Sequence, residues 1–198
     1  MISRTPTLLL ACDLGKSGGK FFYKLSQGQT HALWVDAEVA QRSASGVAHT
    51  SQGGRPQDNA WFRLGDELTF VGKAAQVFLD YNSFKEDKCL KAAERIAGAL
   101  GAIAKTENLP AHFEAIVWVL LPINELVTRQ RITSRLTEIC QGFRFQDEME
   151  YRVNLKLGFR PEGYGVYVLR KQQLQQAGQA IAQRTTWIEM LGHRNGTH

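Results

Sequence analysis

Closely spaced cysteines and long apolar runs are both missing from this sequence. Its three cysteines, Cys12, Cys89 and Cys140, lie far apart in a chain of 198 residues. Neither a disulfide framework nor a zinc finger is therefore predicted. The apolar run near the start, residues 7–12, is too short for a signal-peptide core or a membrane span. We expect a protein of the reducing cytoplasm that has no membrane partner.

The sequence also has no dominant cluster of one charge. The formal net charge is +5, but acidic residues lie among the basic ones throughout. This pattern is typical of a solvated surface, and we expect no direct contact with nucleic acid. A nucleic-acid-binding protein stays among the alternatives because of the net charge, and its affinity would fall strongly with salt.

Apolar residues make up 43% of the sequence, which is enough for the core of one large domain. Short apolar runs predict strands, and residues 8–12 have the profile of a strand buried on both faces. The predicted strands cover residues 8–12, 21–25, 31–39, 61–64, 68–71, 116–121, 143–146, 151–157 and 186–191. Helices are predicted over residues 73–80, 87–105, 125–141 and 165–182, and a long exposed loop over residues 41–59. Hairpins first and alternating strands and helices afterwards predict an α/β fold, in which helices pack on a mixed sheet.

The most informative motif lies between the first two predicted strands and reads Asp13-Leu14-Gly15-Lys16-Ser17-Gly18-Gly19-Lys20. Its glycines let backbone N–H groups turn toward an anion, beside the side chains of Lys16 and Ser17. Lys20 supplies a positive charge, and Asp13 can orient a magnesium-bound water. The pattern predicts a phosphate site. The competing interpretation is a glycine-rich hairpin that binds no ligand.

Two better-known phosphate motifs do not fit this segment. Gly15, Lys16 and Ser17 imitate the end of a Walker A loop, but Leu10 stands where the first glycine of that loop must be. A Rossmann fingerprint fails because the glycine spacing differs and because a strand, not a helix, is predicted after the glycines.

The pattern formed by Asp13, Gly15, Gly18 and Lys20 resembles the first phosphate loop of the actin, Hsp70 and sugar-kinase superfamily. Three further segments resemble the plasmid-segregation ParM/StbA branch, in matching order. They are Phe70-Val71-Gly72-Lys73-Ala74-Ala75, Val119-Leu120-Leu121-Pro122-Ile123 and Pro161-Glu162-Gly163-Tyr164-Gly165. The resemblance covers essentially the whole chain. It implies that residues 1–198 form an actin-like, ribonuclease H-like N-terminal domain, the first domain of a two-domain ATPase.

The same resemblance implies ATP and Mg²⁺ as cofactors and gives two residues catalytic roles. Glu162 would position or deprotonate the attacking water, and Asp13 would orient a magnesium-bound water. A carboxylate near the terminal phosphate makes chemical sense, since phosphoryl transfer depends on positioning and on neutralised charge. The alternative for Glu162 is a carboxylate that the dipole favours at the start of a helix.

The last residues of the chain lie where the resembling family carries its second phosphate loop. Met190 occupies the place of the usual metal-side aspartate, and a side chain one residue away, Glu189, would point to the opposite face of a strand. Hydrolysis is therefore in question, while Arg194 offers phosphate-binding charge. The residues that fit the turn of this loop are Gly192, Asn195, Gly196 and Thr197.

The resemblance thus implies an ATP-binding, filament-forming protein of plasmid or DNA segregation. Its partners would be copies of itself, a second domain and a DNA-bound adaptor. One alternative is a truncated or degenerate module that binds proteins without hydrolysing ATP. Another is a sugar-kinase-type phosphotransferase, but the sequence offers no convincing aspartate for a substrate hydroxyl.

Overall fold

The computed structural model describes residues 6–26, 28–46, 54–78 and 91–177. These residues form nine strands and four α-helices, numbered in chain order. The strands are β1 (Thr7–Leu14), β2 (Gly18–Leu25), β3 (His31–Asp36), β4 (Val39–Ser43), β5 (Trp61–Leu64), β6 (Glu67–Val71), β7 (His112–Leu121), β8 (Phe143–Phe145) and β9 (Met149–Pro161). The helices are α1 (Lys73–Gln76), α2 (Ala92–Thr106), α3 (Arg129–Cys140) and α4 (Tyr164–Gln176).

All nine strands belong to one mixed sheet, in the order β3-β2-β1-β7-β9-β8-β5-β6-β4. β1, β7 and β9 are parallel neighbours, whereas the other pairs are antiparallel. β9 pairs with β8 near its start and with β7 over the rest of its length. It therefore joins an inner sheet (β3-β2-β1-β7-β9) to an outer sheet (β8-β5-β6-β4). The predicted α/β class and mixed sheet are confirmed.

The core lies between the inner sheet and α2. Alternate residues of β1 are buried on this side, and every residue of α2 from Ala92 to Ala104 is buried. Small residues let the helix lie unusually close to the sheet: a Cβ at Gly101 would stand only 2.2 Å from the Phe145 ring. The glycines of α2 therefore serve close packing against the outer sheet.

Several predicted boundaries are wrong. The single strand expected over residues 31–39 is two strands, β3 and β4, and the loop expected from residue 41 begins later because β4 continues to Ser43. The side chains of β4 from residue 41 onward are polar and exposed, but its backbone pairs with β6. The helix expected from residue 125 starts as a 3-10 turn, Ile123–Thr128, before α3. The strand expected over residues 186–191 lies outside the described residues.

The expected burial of β1 on both faces is also wrong for the described part of the chain. Leu9 and Ala11 are only half-buried. The face of the inner sheet opposite α2, here called the open face, carries the partly exposed rings of Phe22, Trp34 and Trp118. The apolar run of β1 therefore has one face that is buried against the core and one face that the described residues cover only in part. None of the described helices is both long and apolar enough to cross a membrane.

Arg135 links α3 to both α2 and the outer sheet. Its guanidinium donates to Glu94 of α2 at 3.0 Å, to Glu67 of β6 at 2.8 Å and to Glu138 at 3.1 Å. Burial opposes the charge, but the hydrogen bonds to three glutamates raise the pKa of the guanidinium above its ordinary value. Since Glu94 is buried, loss of the arginine would leave its carboxylate without this counter-charge.

We predict that Arg135→Ala lowers the free energy of unfolding by roughly 1–3 kcal/mol, because charge-assisted hydrogen bonds are lost and a buried carboxylate stays behind. Urea denaturation followed by circular dichroism measures the change. Arg152→Ala is the matched control, since Arg152 pairs with Glu150 on the surface and such pairs contribute little. Equal effects of the two substitutions would contradict the assigned role of Arg135.

Candidate functional site

The glycine-rich motif forms the tight connection between β1 and β2. Asp13 and Lys20 lie directly opposite each other in the antiparallel pairing, on the open face of the sheet. The Gly15 N–H donates to the Gly18 carbonyl at 2.8 Å and closes the turn. Asp13 is half-buried and Lys20 is exposed, and neither side chain has an ion pair or hydrogen bond within the described residues. Both charges are thus available to a ligand.

The hairpin is held in place from three directions. Arg95 of α2 donates to the Gly15 carbonyl at 3.2 Å, from the core side. The Ala37 N–H donates to the Ser17 carbonyl at 3.2 Å. On the open face, the Trp34 ring lies over Gly18 so closely that a Cβ there would stand 2.3 Å from it. Gly18 is therefore needed for close approach of the ring.

Glu162 lies where β9 ends and α4 begins. Its N–H donates to the Leu121 carbonyl at 2.9 Å, so the last residue of β7 holds this turn. Gly163 follows with φ 83°, a left-handed conformation that glycine adopts without strain, and α4 starts at Tyr164. Glu162 is thereby placed at the entrance of the helix.

Asp13 and Glu162 come to the same edge of the sheet. β1, β7 and β9 are parallel, and the register sets Asp13 opposite Leu120 and Leu120 opposite Arg160. The carboxyl ends of the three strands therefore meet at one edge, which is where open α/β sheets bind ligands. This edge therefore carries the glycine-rich hairpin, one lysine and two carboxylates.

The structure gathers most of the predicted site. Asp13, Gly15, Lys16, Ser17, Gly18, Gly19 and Lys20 lie together in the hairpin, and Glu162 lies at the same edge. The remaining predicted site residues fall outside the described part of the chain. They are Gly192, Arg194, Asn195 and Thr197, together with Met190.

Two arginines near the site were not predicted from the sequence. Arg95 is only 2% exposed, and the signal that could have identified it is the pair of charged residues Glu94 and Arg95 in a helix built mainly from small and apolar residues. Arg160 lies over the rings of Trp118 and Tyr164, at 4.2 Å and 5.3 Å from their centroids. This stacking ties the start of α4 to the open face, and no local pattern in the sequence indicates it.

Arg95 also influences the neighbouring thiol. Burial raises the pKa of Cys12 well above its ordinary value, and the positive charge of Arg95 opposes this only in part. Cys12 is therefore protonated at neutral pH and behaves as a small apolar residue of the core.

We predict that Arg95→Met loosens the hairpin, because the methionine keeps the volume but cannot donate to the Gly15 carbonyl. Loss of a charged hydrogen bond should speed hydrogen exchange of the Gly15 amide by about tenfold or more. Exchange followed by NMR measures this effect, with the exposed substitution Lys20→Ala as control. Unchanged exchange at Gly15 in a folded Arg95→Met protein would show that Arg95 does not hold the hairpin.

Comparison with known proteins finds no match among family models and none among curated protein sequences. Solved structures do match. AlfA from the B. subtilis plasmid pLS32, in its filament, has 18% identity and a TM-score of 0.54, over 81% of this chain and 57% of AlfA. Bacillus thuringiensis ParM with AMPPNP has 14% identity and a TM-score of 0.54, over 77% of this chain and 44% of ParM.

An archaeal actin homolog matches with 14% identity and a TM-score of 0.51, over 83% of this chain and 49% of the homolog. This chain thus spans about half the length of the structures it matches. At such identities the likeness concerns the fold. In its described part, this chain has the actin-like fold of AlfA, ParM and the archaeal actin homolog.

Proposed function

We propose that this chain is the ATP-binding first domain of an actin-like, filament-forming ATPase that serves plasmid or DNA segregation. One observation carries the proposal: the Asp13–Lys20 hairpin and Glu162 lie at the shared carboxyl edge of β1, β7 and β9. A phosphate chain at this edge would meet the backbone and the lysine of the hairpin on one side and a carboxylate on the other.

The residues present suit the phosphates and their metal ion. The hairpin backbone and Lys20 would bind phosphate oxygens, while the Asp13 carboxylate is a hard oxygen donor of the kind that holds Mg²⁺ through water. When bound, Mg²⁺ neutralises phosphate charge. Glu162 then orients the attacking water. Arg95 supports the hairpin from behind without touching the nucleotide.

The compared structures support a nucleotide and self-association. ParM was solved with AMPPNP and with ADP, and AlfA was solved as a filament. We extend both properties to this chain, together with a second domain and a DNA-bound adaptor as partners. Head-to-tail filaments need an open, heterologous contact. We expect the protein to act in the cytoplasm, which fits the free, buried thiols of Cys12 and Cys140.

A second candidate is an actin-like module that binds proteins without hydrolysing ATP. The observation in its favour is the open face, where Phe22, Trp34 and Trp118 are 50%, 47% and 37% exposed. Apolar patches rimmed by polar residues are typical of interaction surfaces. The two candidates differ in ATP hydrolysis, which a phosphate-release assay on the protein joined to a second domain decides.

We predict that residues 1–198 bind Mg-ATP weakly, because a half-site open to water screens its phosphate contacts and buries no base. Lys20→Ala should weaken this binding by about tenfold, the loss of one charge-assisted contact. Lys24→Ala is the matched control, since Lys24 is exposed on the same face of β2. Isothermal titration calorimetry measures the affinities. Equal binding by the Lys20 and Lys24 variants would overturn the phosphate site.

We further predict that Glu162→Gln leaves the affinity for Mg-ATP nearly unchanged, because Glu162 acts on the attacking water and not on the ground-state phosphates. Phosphate release by the unaltered chain should be negligible without a second domain. A loss of affinity as large as that of Lys20→Ala would remove Glu162 from the proposed role. Steady phosphate release by this chain alone would contradict the need for a second domain.

A further inference from the structure

A pocket of about 370 Å³ lies beside β3, and neither Asp13 nor Glu162 lines it. One wall comes from β2 and β3 of the inner sheet. The other wall comes from residues 55–58, which precede β5, and from the first residue of α1, Lys73. The volume is within the range of small-molecule sites, roughly 300–1,000 Å³.

The inner wall of the pocket is aromatic and fixed. Phe22 and Trp34 are about half exposed, and the register of β2 with β3 sets them on the same face. The indole N–H of Trp34 donates to Asp36 at 2.8 Å, and the ring lies in contact with Gly18. Because the indole is held at both points, it presents a preorganised flat surface to a ligand.

The outer wall carries charges that are already aligned. Asp58 accepts from Arg55 at 2.7 Å and pairs with Lys73 at 3.1 Å. The hydrogen bond from Arg55, with help from Lys73, lowers the pKa of Asp58 despite its partial burial. One ionised carboxylate thus orients two cations, and each cation keeps further donors for a ligand.

Lys20 completes the pocket on its inner side. It lies opposite Trp34 in the strand pairing, so its ammonium and the indole share one end of the cavity. Asp36, the second carboxylate of the lining, already accepts from Trp34 and from Gln76. Three cations therefore face two engaged carboxylates beside an exposed aromatic surface.

We propose that this pocket binds a small ligand that carries an anionic group on a planar ring. The ring stacks on Trp34 beside Phe22, and the anionic group, a phosphate ester or a carboxylate, lies between Lys20 and Lys73. The site goes beyond the proposed function, because neither Asp13 nor Glu162 lines it. Lys20 stands between the two sites, so occupancy of one lowers the affinity of the other.

Calorimetric titration of the full chain with 1-naphthyl phosphate, 1-naphthoate and inorganic phosphate tests this proposal. Both naphthyl probes should bind, and inorganic phosphate should bind more weakly because it lacks the ring. The ratio of the two naphthyl affinities distinguishes a phosphate ester site from a carboxylate site. Trp34→Leu should weaken naphthyl binding by about tenfold, and Lys73→Gln by about threefold.

Two matched variants separate the pocket from general adsorption. Trp118→Leu removes another exposed ring of the open face, and Lys24→Gln removes another exposed lysine of β2; neither residue lines the pocket. Both should stay within about twofold of the unaltered chain. Circular dichroism checks the fold, and Lys73→Gln tests the site even if Trp34→Leu is unstable.

The proposal is overturned if the unaltered chain binds neither naphthyl probe. It is equally overturned if Trp34→Leu and Lys73→Gln bind as the unaltered chain does, or if Trp118→Leu weakens binding as much as Trp34→Leu. Mg-ATP titrated in parallel separates the two hypotheses. Naphthyl binding that depends on Trp34, in a chain that does not bind Mg-ATP, would support the pocket and reject the proposed function.

Discussion

The parallel register of β1, β7 and β9 is the constraint on which the candidate site depends. β7 pairs with a strand on each side. Its residue Leu120 lies opposite Asp13 of β1 and opposite Arg160 of β9. Because parallel strands end at the same edge of a sheet, segments distant in sequence meet there. A slip of one residue between β1 and β7 would turn Asp13 toward α2 and separate it from Glu162.

The packing of α2 on the core side of the sheet also supports the hairpin at this carboxyl edge. α2 lies close to the strands because its buried surface is largely alanine and glycine, and this closeness brings Arg95 beneath the hairpin. A buried guanidinium is costly unless its donors find acceptors. Here one donor reaches the Gly15 carbonyl, and this hydrogen bond stabilises the turn while it offsets part of the cost of burial. The side chains of Asp13 and Lys20 lie on the opposite side, the open face.

The inner and outer sheets are joined at a boundary, here called the seam, by β9 and by the segment between β3 and β4. β9 runs through both, and the Gly72 N–H donates to the Glu38 carbonyl at 2.8 Å just beyond the β4–β6 pairing. Gly72 has φ 64°, which a residue with a side chain rarely adopts. On the helical side, Arg135 of α3 links α2 to β6 of the outer sheet. The pocket beside β3 follows from this seam, since its walls come from both parts.

Features that depend on neighbouring residues were predictable from the sequence. The apolar runs of β1 and β7, the hairpin of β5 and β6, and the glycine-rich turn after Asp13 all follow from local composition and spacing. The class of the fold followed from their order. The sequence also pointed to Glu162, through a resemblance and not through any local chemistry that distinguishes it from an ordinary carboxylate at the start of a helix.

Features that depend on distant partners were decided only by the tertiary structure. β4 is a strand because its backbone pairs with β6, although its polar side chains resemble a loop. Arg95 lies under the hairpin because α2 packs on the core side of the sheet. Trp34 and Lys73 line one pocket because α1 and residues before β5 lie beside β3. Sequence patterns record which side chains avoid water along one segment. They do not record which segment a backbone pairs with or which charge a buried donor meets, and these long-range contacts assembled both sites.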